Sequence, residues 1–243
     1  MKKIFGTNGI PFWDQRDIET RQNFKSVFAR DILDILASQN TAWRLHVHEI
    51  EGPTILPDVL LNPNYTSEDV WSFNDTEDED GLVMRPETTA SSYAYAHYLM
   101  DHGMVTPPFI VWQAGKSYRR EQDQVSKNMR LKEFYQQEFQ CFYAADTMND
   151  YQSAIMDDLK EMFSKEIGLP ARVVESDRLP SYSEKTMDVE VDNGDKWMEI
   201  CSVSVRNDFT RLAEFKNGKI KKQLKVLEIA IGLDRCVYNR NQV

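Results

Sequence analysis

Arg119, Glu121, Arg130, Phe134 and Glu138 fall close together in the stretch from Gly115 to Phe142. Arg119 and Glu121 are two apart, a polar loop follows to Arg130, and Phe134 and Glu138 are four apart. If both flanks are strands, side chains alternate with period two. Arg119 and Glu121 then share one sheet face, as do Phe134 and Glu138. A cation, two carboxylates and an aromatic ring would meet beside a loop able to fold over a ligand. Those groups suit a nucleotide: arginine for a phosphate, an aromatic face for a base, a carboxylate for an amine. The pattern alone fits an amphipathic hairpin with solvated charges equally well.

The chain around this stretch reads as one continuous domain, residues 1–243, without repeats or low-complexity segments. Residues 17–38 carry Ile18, Phe24, Val27, Phe28, Ile32, Ile35 and Leu36 at mostly helical spacing, and Trp43 to Ile50 alternates like a strand. The acidic run from Asn62 to Gly81 reads as a solvated loop, with a mobile lid as its functional reading. A helix is expected from Thr88 to Asp101, a strand from Phe109 to Gln113 and a helix from Met148 to Ile167. Strands are expected near 171–175, 187–192 and 196–205, with Asn217-Gly218 as a hairpin turn. This strand-rich middle with flanking helices predicts an α+β fold around an antiparallel sheet. No Gly-x-Gly-x-x-Gly follows a strand, which argues against a Rossmann fold.

Charge and cysteine usage narrow the function classes. The formal net charge is −10 and the pI about 5.0, opposite to the basic footprint of a dedicated nucleic-acid binder. No apolar run approaches the ~20 residues that span a bilayer, and the N-terminus lacks the apolar stretch of a secretory signal. Cys141, Cys201 and Cys236 show no Cys-x-x-Cys spacing and read as reduced core thiols of a cytoplasmic protein. His46 and His48 share a strand face but have no third ligand nearby, so a metal site there is not expected. Lys216, Lys219, Lys221, Lys222 and Lys225 flank the hairpin turn and read as a solvated turn more readily than as an RNA contact.

The Gly115–Phe142 stretch resembles motif 2 of class II aminoacyl-tRNA synthetases, Phe-Arg-x-Glu, loop, Phe-x-x-x-Asp/Glu, in its glycyl-branch version. Three further segments agree in order. Arg85-Pro-Glu-Thr88 is similar to the family's Arg-Pro-Glu-Thr. Trp197 to Phe209 is similar to its Gly-Trp-x-Glu-Leu run. Glu228-Ile-Ala-Ile-Gly-Leu-Asp-Arg235 looks like motif 3, Glu-Pro-Ser-x-Gly-x-x-Arg. The regions then fall at about 17–60, 115–142 and 226–238, the first being the loose motif 1 that builds a homodimer interface in that family.

The resemblance implies adenylate formation from an amino acid and ATP. Arg119 would hold the α-phosphate and the amino-acid carboxylate, and Arg235 the terminal phosphate and one adenine face. Phe134 would stack on the other face, Glu121 would accept from the adenine amine, and Arg130 belongs to the same ATP set. Glu228 would hold Mg²⁺, with Glu199 as second candidate. Glu87 and Glu138, helped by Glu228, would bind the substrate ammonium. Here the sequence departs from the glycyl pattern. Its Gln after Arg-Pro-Glu-Thr-Ala is Ala90, its motif 3 serine is Ala230, a loop arginine is Val125 and an Asp is Thr210. Glycine or another small amino acid is the expected substrate. Only eight residues follow motif 3, so the expected acceptor is something other than tRNA: a carrier protein, small molecule or peptide. A minimal synthetase acting on an acceptor stem and a non-catalytic accessory paralogue are the alternatives.

Overall fold

The computed structural model describes residues 4–5, 9–62, 65–73, 81–120, 129–177, 179–210, 212–215 and 220–242, with backbone alone at 4–5, 212–215 and 220–221. A short ribbon of β1 (Ile4–Phe5) and β2 (Ile10–Pro11) precedes α1 (Gln15–Gln39). A 3-10 turn at Thr41–Arg44 leads to β3 (Val47–Glu49). A small sheet of β4 (Ile55–Pro57), β5 (Ser72–Phe73) and β6 (Leu82–Met84) comes before α2 (Thr89–Asp101). The long pair β7 (Phe109–Tyr118) and β8 (Glu133–Ala144) is followed by α3 (Tyr151–Ile167) and β9 (Ala171–Glu175). β10 (Ser183–Asp192), β11 (Trp197–Arg206), β12 (Leu212–Phe215), β13 (Ile220–Gly232) and α4 (Leu233–Arg240) complete the order.

Strands β3-β7-β8-β13-β11-β10-β9 form one large sheet in that order, and β12 pairs with β13 off this path. Every pairing is antiparallel except β3 with β7. The expected α+β architecture, a large antiparallel sheet flanked by helices, is the observed one. Its back face carries Phe139, Cys141, Val203, Leu227, Ile229 and Ile231, all buried against α1 and α3. α1 supplies Phe24, Phe28, Ile32 and Leu36, a stripe at three- and four-residue spacing. A capping box starts that helix: Asp14 accepts from the Asp17 amide, and Asp17 accepts from the Asp14 amide. α3 ends at Gly168, whose φ of 80° suits a residue without Cβ.

Pairing register sets the front face. Phe109, Phe142 and Val226 lie in one cross-strand row. The next row is Val111, Gln140, Glu228, Ser204 and Thr186, and the one after is Gln113, Glu138, Ala230, Ser202 and Asp188. Helix α2 covers the apolar end of this face and leaves the polar end to a cleft.

The helix over 148–167 starts at Tyr151 because Asp150 caps it. The strand expected over Trp43–Ile50 is only Val47–Glu49. Asn40 caps a 3-10 turn through Thr41–Arg44 instead, which buries Trp43 against Tyr143 and Tyr151. In the acidic run, 74–80 lies outside the described residues; so do the Asn217-Gly218 turn and Val125, although Phe215 and Ile220 on either side of that turn pair.

Candidate active site

The cleft over the polar end of the sheet encloses about 580 Å³ and is lined by Glu87, Arg119, Arg130, Phe134, Glu138, Glu199, Glu228, Ala230 and Arg235. Every site residue expected from the sequence is among them except Glu121, which lies outside the described residues. They come from the end of β7, the approach to β8 and strand β8 itself, strands β11 and β13, the first turn of α4, and the connection from β6 to α2.

At the deep end three carboxylates meet one guanidinium. Glu138, Glu228 and Glu87 are all buried, and Arg206 is fully buried. Arg206 donates from Nη1 to Glu228 Oε2 at 2.6 Å and from Nη2 to Asp208 Oδ2 at 2.6 Å. Its Nη2 lies 3.8 Å from Glu87 Oε1, and its guanidinium carbon sits 3.8 Å from the Tyr182 ring centre. Burial alone would lower its pKa, but the charges of Glu228 and Glu87 outweigh burial and hold it well above the usual value.

Glu138 has the opposite balance. Its Oε2 accepts from Thr88 Oγ1 and, at 3.3 Å, from Thr89 Oγ1; its Oε1 accepts from Gln136 at 2.7 Å. Burial first, then the nearby charges of Glu228 and Glu87, push this carboxyl up to about 8. Glu228 Oε2 also accepts from Gln140 at 2.7 Å and from Thr89 at 3.1 Å. Glu87 Oε2 accepts from the Tyr65 hydroxyl at 2.9 Å, and its pKa too is raised, mainly by burial. Such a cluster is costly unless a cation completes it.

The outer end is aromatic and cationic. The Arg119 guanidinium lies 5.4 Å from the Phe134 ring centre, donates from Nε to Pro86 O at 3.2 Å, and reaches the Tyr65 hydroxyl at 3.2 Å. Arg235 donates to Glu199 O at 2.9 Å and pairs with Glu199 Oε1 at 3.1 Å. Among the described residues no group of three or more His, Cys, Asp or Glu side chains is arranged to hold a metal ion by itself.

Residues 65–238 match the family described as the tRNA synthetase class II core domain (G, H, P, S and T). The chain belongs to that family. It is 28% identical over 172 residues to a glycine–tRNA ligase of Mycoplasmopsis synoviae (strain 53), covering 64% of this chain and 38% of that protein. A glycine–tRNA ligase of Mycolicibacterium paratuberculosis (strain ATCC BAA-968 / K-10) is 30% identical over 153 residues, covering 59% of this chain and 33% of its own length. The chain thus spans well under half of the curated relatives it matches. In fold it is similar to prolyl-tRNA synthetase from Cryptosporidium parvum, solved with halofuginone and AMPPNP, with a TM-score of 0.77 at 13% identity. That match covers 99% of this chain and 49% of the other. Giardia lamblia prolyl-tRNA synthetase, solved with prolyl-adenylate, gives a TM-score of 0.74 at 14% identity, covering 97% of this chain and 48% of that one.

Arg206 and Tyr65 are parts of this synthetase core that the sequence reading missed. Arg206 stands inside the Trp197–Phe209 run and alternates with Ser202 and Ser204 along β11, which was the available signal. Tyr65 enters from a loop, and nothing local marks it. Lys222 and Lys225 are paired with Asp146 at 2.8 Å and Glu184 at 2.6 Å. Lys216 and Lys219 lie outside the described residues, as does the side chain of Lys221. His48 packs edge-on to Tyr95. The three cysteines are free and buried, and among the described residues no helix is long and apolar enough to cross a membrane.

Proposed function

We propose that this class II synthetase core activates an α-amino acid with ATP, forming an aminoacyl-adenylate, and passes the aminoacyl group to an acceptor other than tRNA. The observation that carries the reading is the deep pocket of Glu87, Glu138 and Glu228 beside the buried cation Arg206, which an α-ammonium would complete. Glycine or another small amino acid is the substrate we favour. In the activation step a carboxylate oxygen of the amino acid attacks the α-phosphorus, the bond to the β,γ-phosphates breaks, and pyrophosphate leaves. Such a step rests on positioning and charge stabilisation, with no need of a protein base.

Arg119, at the junction of pocket and outer cleft, holds the amino-acid carboxylate and the α-phosphate in this reading. Phe134, Arg130 and Arg235 belong to the ATP side. Mg²⁺, when bound, neutralises the phosphates and needs only one or two carboxylates besides them. Glu199 fits that demand better than Glu228, because Glu228 is enclosed by Arg206, Gln140 and Thr89. The acidic chain and the paired lysines of β13 speak for a non-tRNA acceptor; the glycine–tRNA ligase relatives keep an acceptor stem as the second reading. A homodimer through the motif 1 region is part of the proposal. The test is ATP–pyrophosphate exchange across the common amino acids with Mg²⁺ present. Exchange with glycine or another small amino acid is expected. No exchange with any amino acid, in folded protein that also fails to bind ATP, would remove the reading.

A further inference from the structure

Asn62 and residues 65–70 are pinned at three points. Asn62 Nδ2 donates to Asp208 Oδ2 at 2.8 Å. The Arg120 amide donates to Asp69 O at 2.9 Å, and Val70 is buried with Leu56 and Val83. This fixes Tyr65 between the two ends of the site. Its hydroxyl donates to Glu87 Oε2 at 2.9 Å and accepts from Arg119 Nη2 at 3.2 Å. Arg119 also donates to the carbonyl of Pro86, the neighbour of Glu87. The ammonium-binding carboxylate and the carboxylate-binding guanidinium therefore stand two hydrogen bonds apart, bridged by a single oxygen atom. An α-amino acid carries its ammonium and its carboxylate on one carbon, so its two charged ends need such a short, fixed separation. A β-amino acid places one more methylene between them. Burial holds the Tyr65 phenol well above its ordinary pKa, so it remains a donor at neutral pH.

We propose that Tyr65 is a positioning residue that sets the Glu87–Arg119 spacing and thereby selects α- over β-amino acids. The proposal rests on the activation reading above, and goes beyond it in assigning the discrimination to one hydroxyl on a loop. The variant is Tyr65→Phe, which keeps the ring and removes the shared hydrogen-bond partner. The probes are glycine and L-alanine against β-alanine, measured both by pyrophosphate exchange and by calorimetric binding. The variant should lose about tenfold in kcat/KM for the α-amino acids, the usual effect of one hydrogen bond to a charged group. Its preference for α- over β-amino acid should shrink by a similar factor, about tenfold, because β-alanine does not fit the bridge to begin with. A general loosening of the fold would lower all three probes together. An unchanged α/β ratio, with or without lower activity, overturns the proposal. Absence of exchange in the wild-type protein would fell the activation reading instead. The calorimetric ratio would then still decide for or against Tyr65.

Discussion

One sheet face carries two different kinds of buried surface. At one end Phe109, Phe142 and Val226 lie in register and are sealed under α2 by Leu99, with Phe209 edge-on to Phe142. Two rows further along the same strands stand Gln113, Glu138, Ala230, Ser202 and Asp188. Burial does not separate them: Phe142 is 0% exposed and Glu138 only 3%. What separates them is whether the buried groups are satisfied by the fold itself. The apolar end needs nothing more. The polar end gathers three carboxylates beside the guanidinium of Arg206, and burial, then the charges of Glu228 and Glu87, raise Glu138 to about 8. Perturbed groups of this kind concentrate where a ligand completes the balance.

The strongest way to break this contrast is to remove the guanidinium of Arg206. Arg206→Met should cost about 3–5 kcal/mol of stability, because it leaves buried carboxylates without their partner. It should also push Glu87, which Arg206 now helps to keep ionised, further toward taking up a proton. Denaturant melts at pH 6 and pH 8 would read both effects, and the loss should be larger at pH 8. Melts that match wild type at both pH values would mean that Arg206 merely fills space.

At the apolar end, Phe142→Ala should cost a similar or slightly smaller amount, about 3–5 kcal/mol, as transfer plus cavity. Here the loss should be independent of pH between 6 and 8, since its ring neighbour Tyr93 is held well above its ordinary pKa by burial and stays protonated there, and the KM for the amino acid should stay within about twofold. A KM that rises with the cavity would show that the two ends are mechanically coupled and that the contrast drawn above is too sharp.

Much of the polar end was readable in the sequence. Phe134 and Glu138 share a face because four is an even number of residues, and β8 keeps that alternation without interruption. Glu228, Ala230 and Arg235 followed from motif 3, and Glu87 from Arg-Pro-Glu-Thr. Arg206 was not assigned a role because a single arginine at a strand end says little alone. Only the β11–β13 register, with Ser204 opposite Glu228, sets it diagonal to that carboxylate. Tyr65 was beyond reach for another reason: its place is fixed by bonds to Glu87 and Arg119, far away in the chain. Alternation from Trp43 to Ile50 cannot reveal that Asn40 opens a 3-10 turn, which leaves only Val47–Glu49 as strand.

A gentler change sharpens the comparison within the pocket. Glu138→Gln should raise the amino acid's KM by about tenfold or more, with the KM for ATP little changed. One carboxylate fewer leaves the substrate ammonium partly unpaired, at about 1–3 kcal/mol. Steady-state exchange kinetics with each substrate varied in turn give both values. Equal weakening of both substrates would place Glu138 in the scaffold.

The smallest expected effect is on pH dependence. Burial and the neighbouring carboxylates raise Glu138 to about 8, against 4.5 for an unperturbed glutamate. Between those values the native state holds a proton that the unfolded chain has already lost. Stability should therefore fall as pH rises through this window and level off above about pH 8. Asp188 and Asp234, each raised to about 6 by burial, act in the same direction but finish near pH 6. The interval from 6 to 8 then belongs to the pocket, where Glu138 faces Glu228, Glu87 and Arg206, and Glu87 is raised as well. One proton over that interval is worth roughly 1 kcal/mol per pH unit. Melting curves at pH 6, 7 and 8 should show wild type losing stability, while Glu138→Gln, which cannot ionise, loses less. Amino-acid binding needs the ionised carboxylate, so in wild type it should release a proton near pH 7 and tighten toward pH 8. In Glu138→Gln that release should shrink. If both proteins lose stability in parallel and release the same number of protons, Glu138 is ionised before the amino acid binds, and the balance at the polar end rests on its arginines.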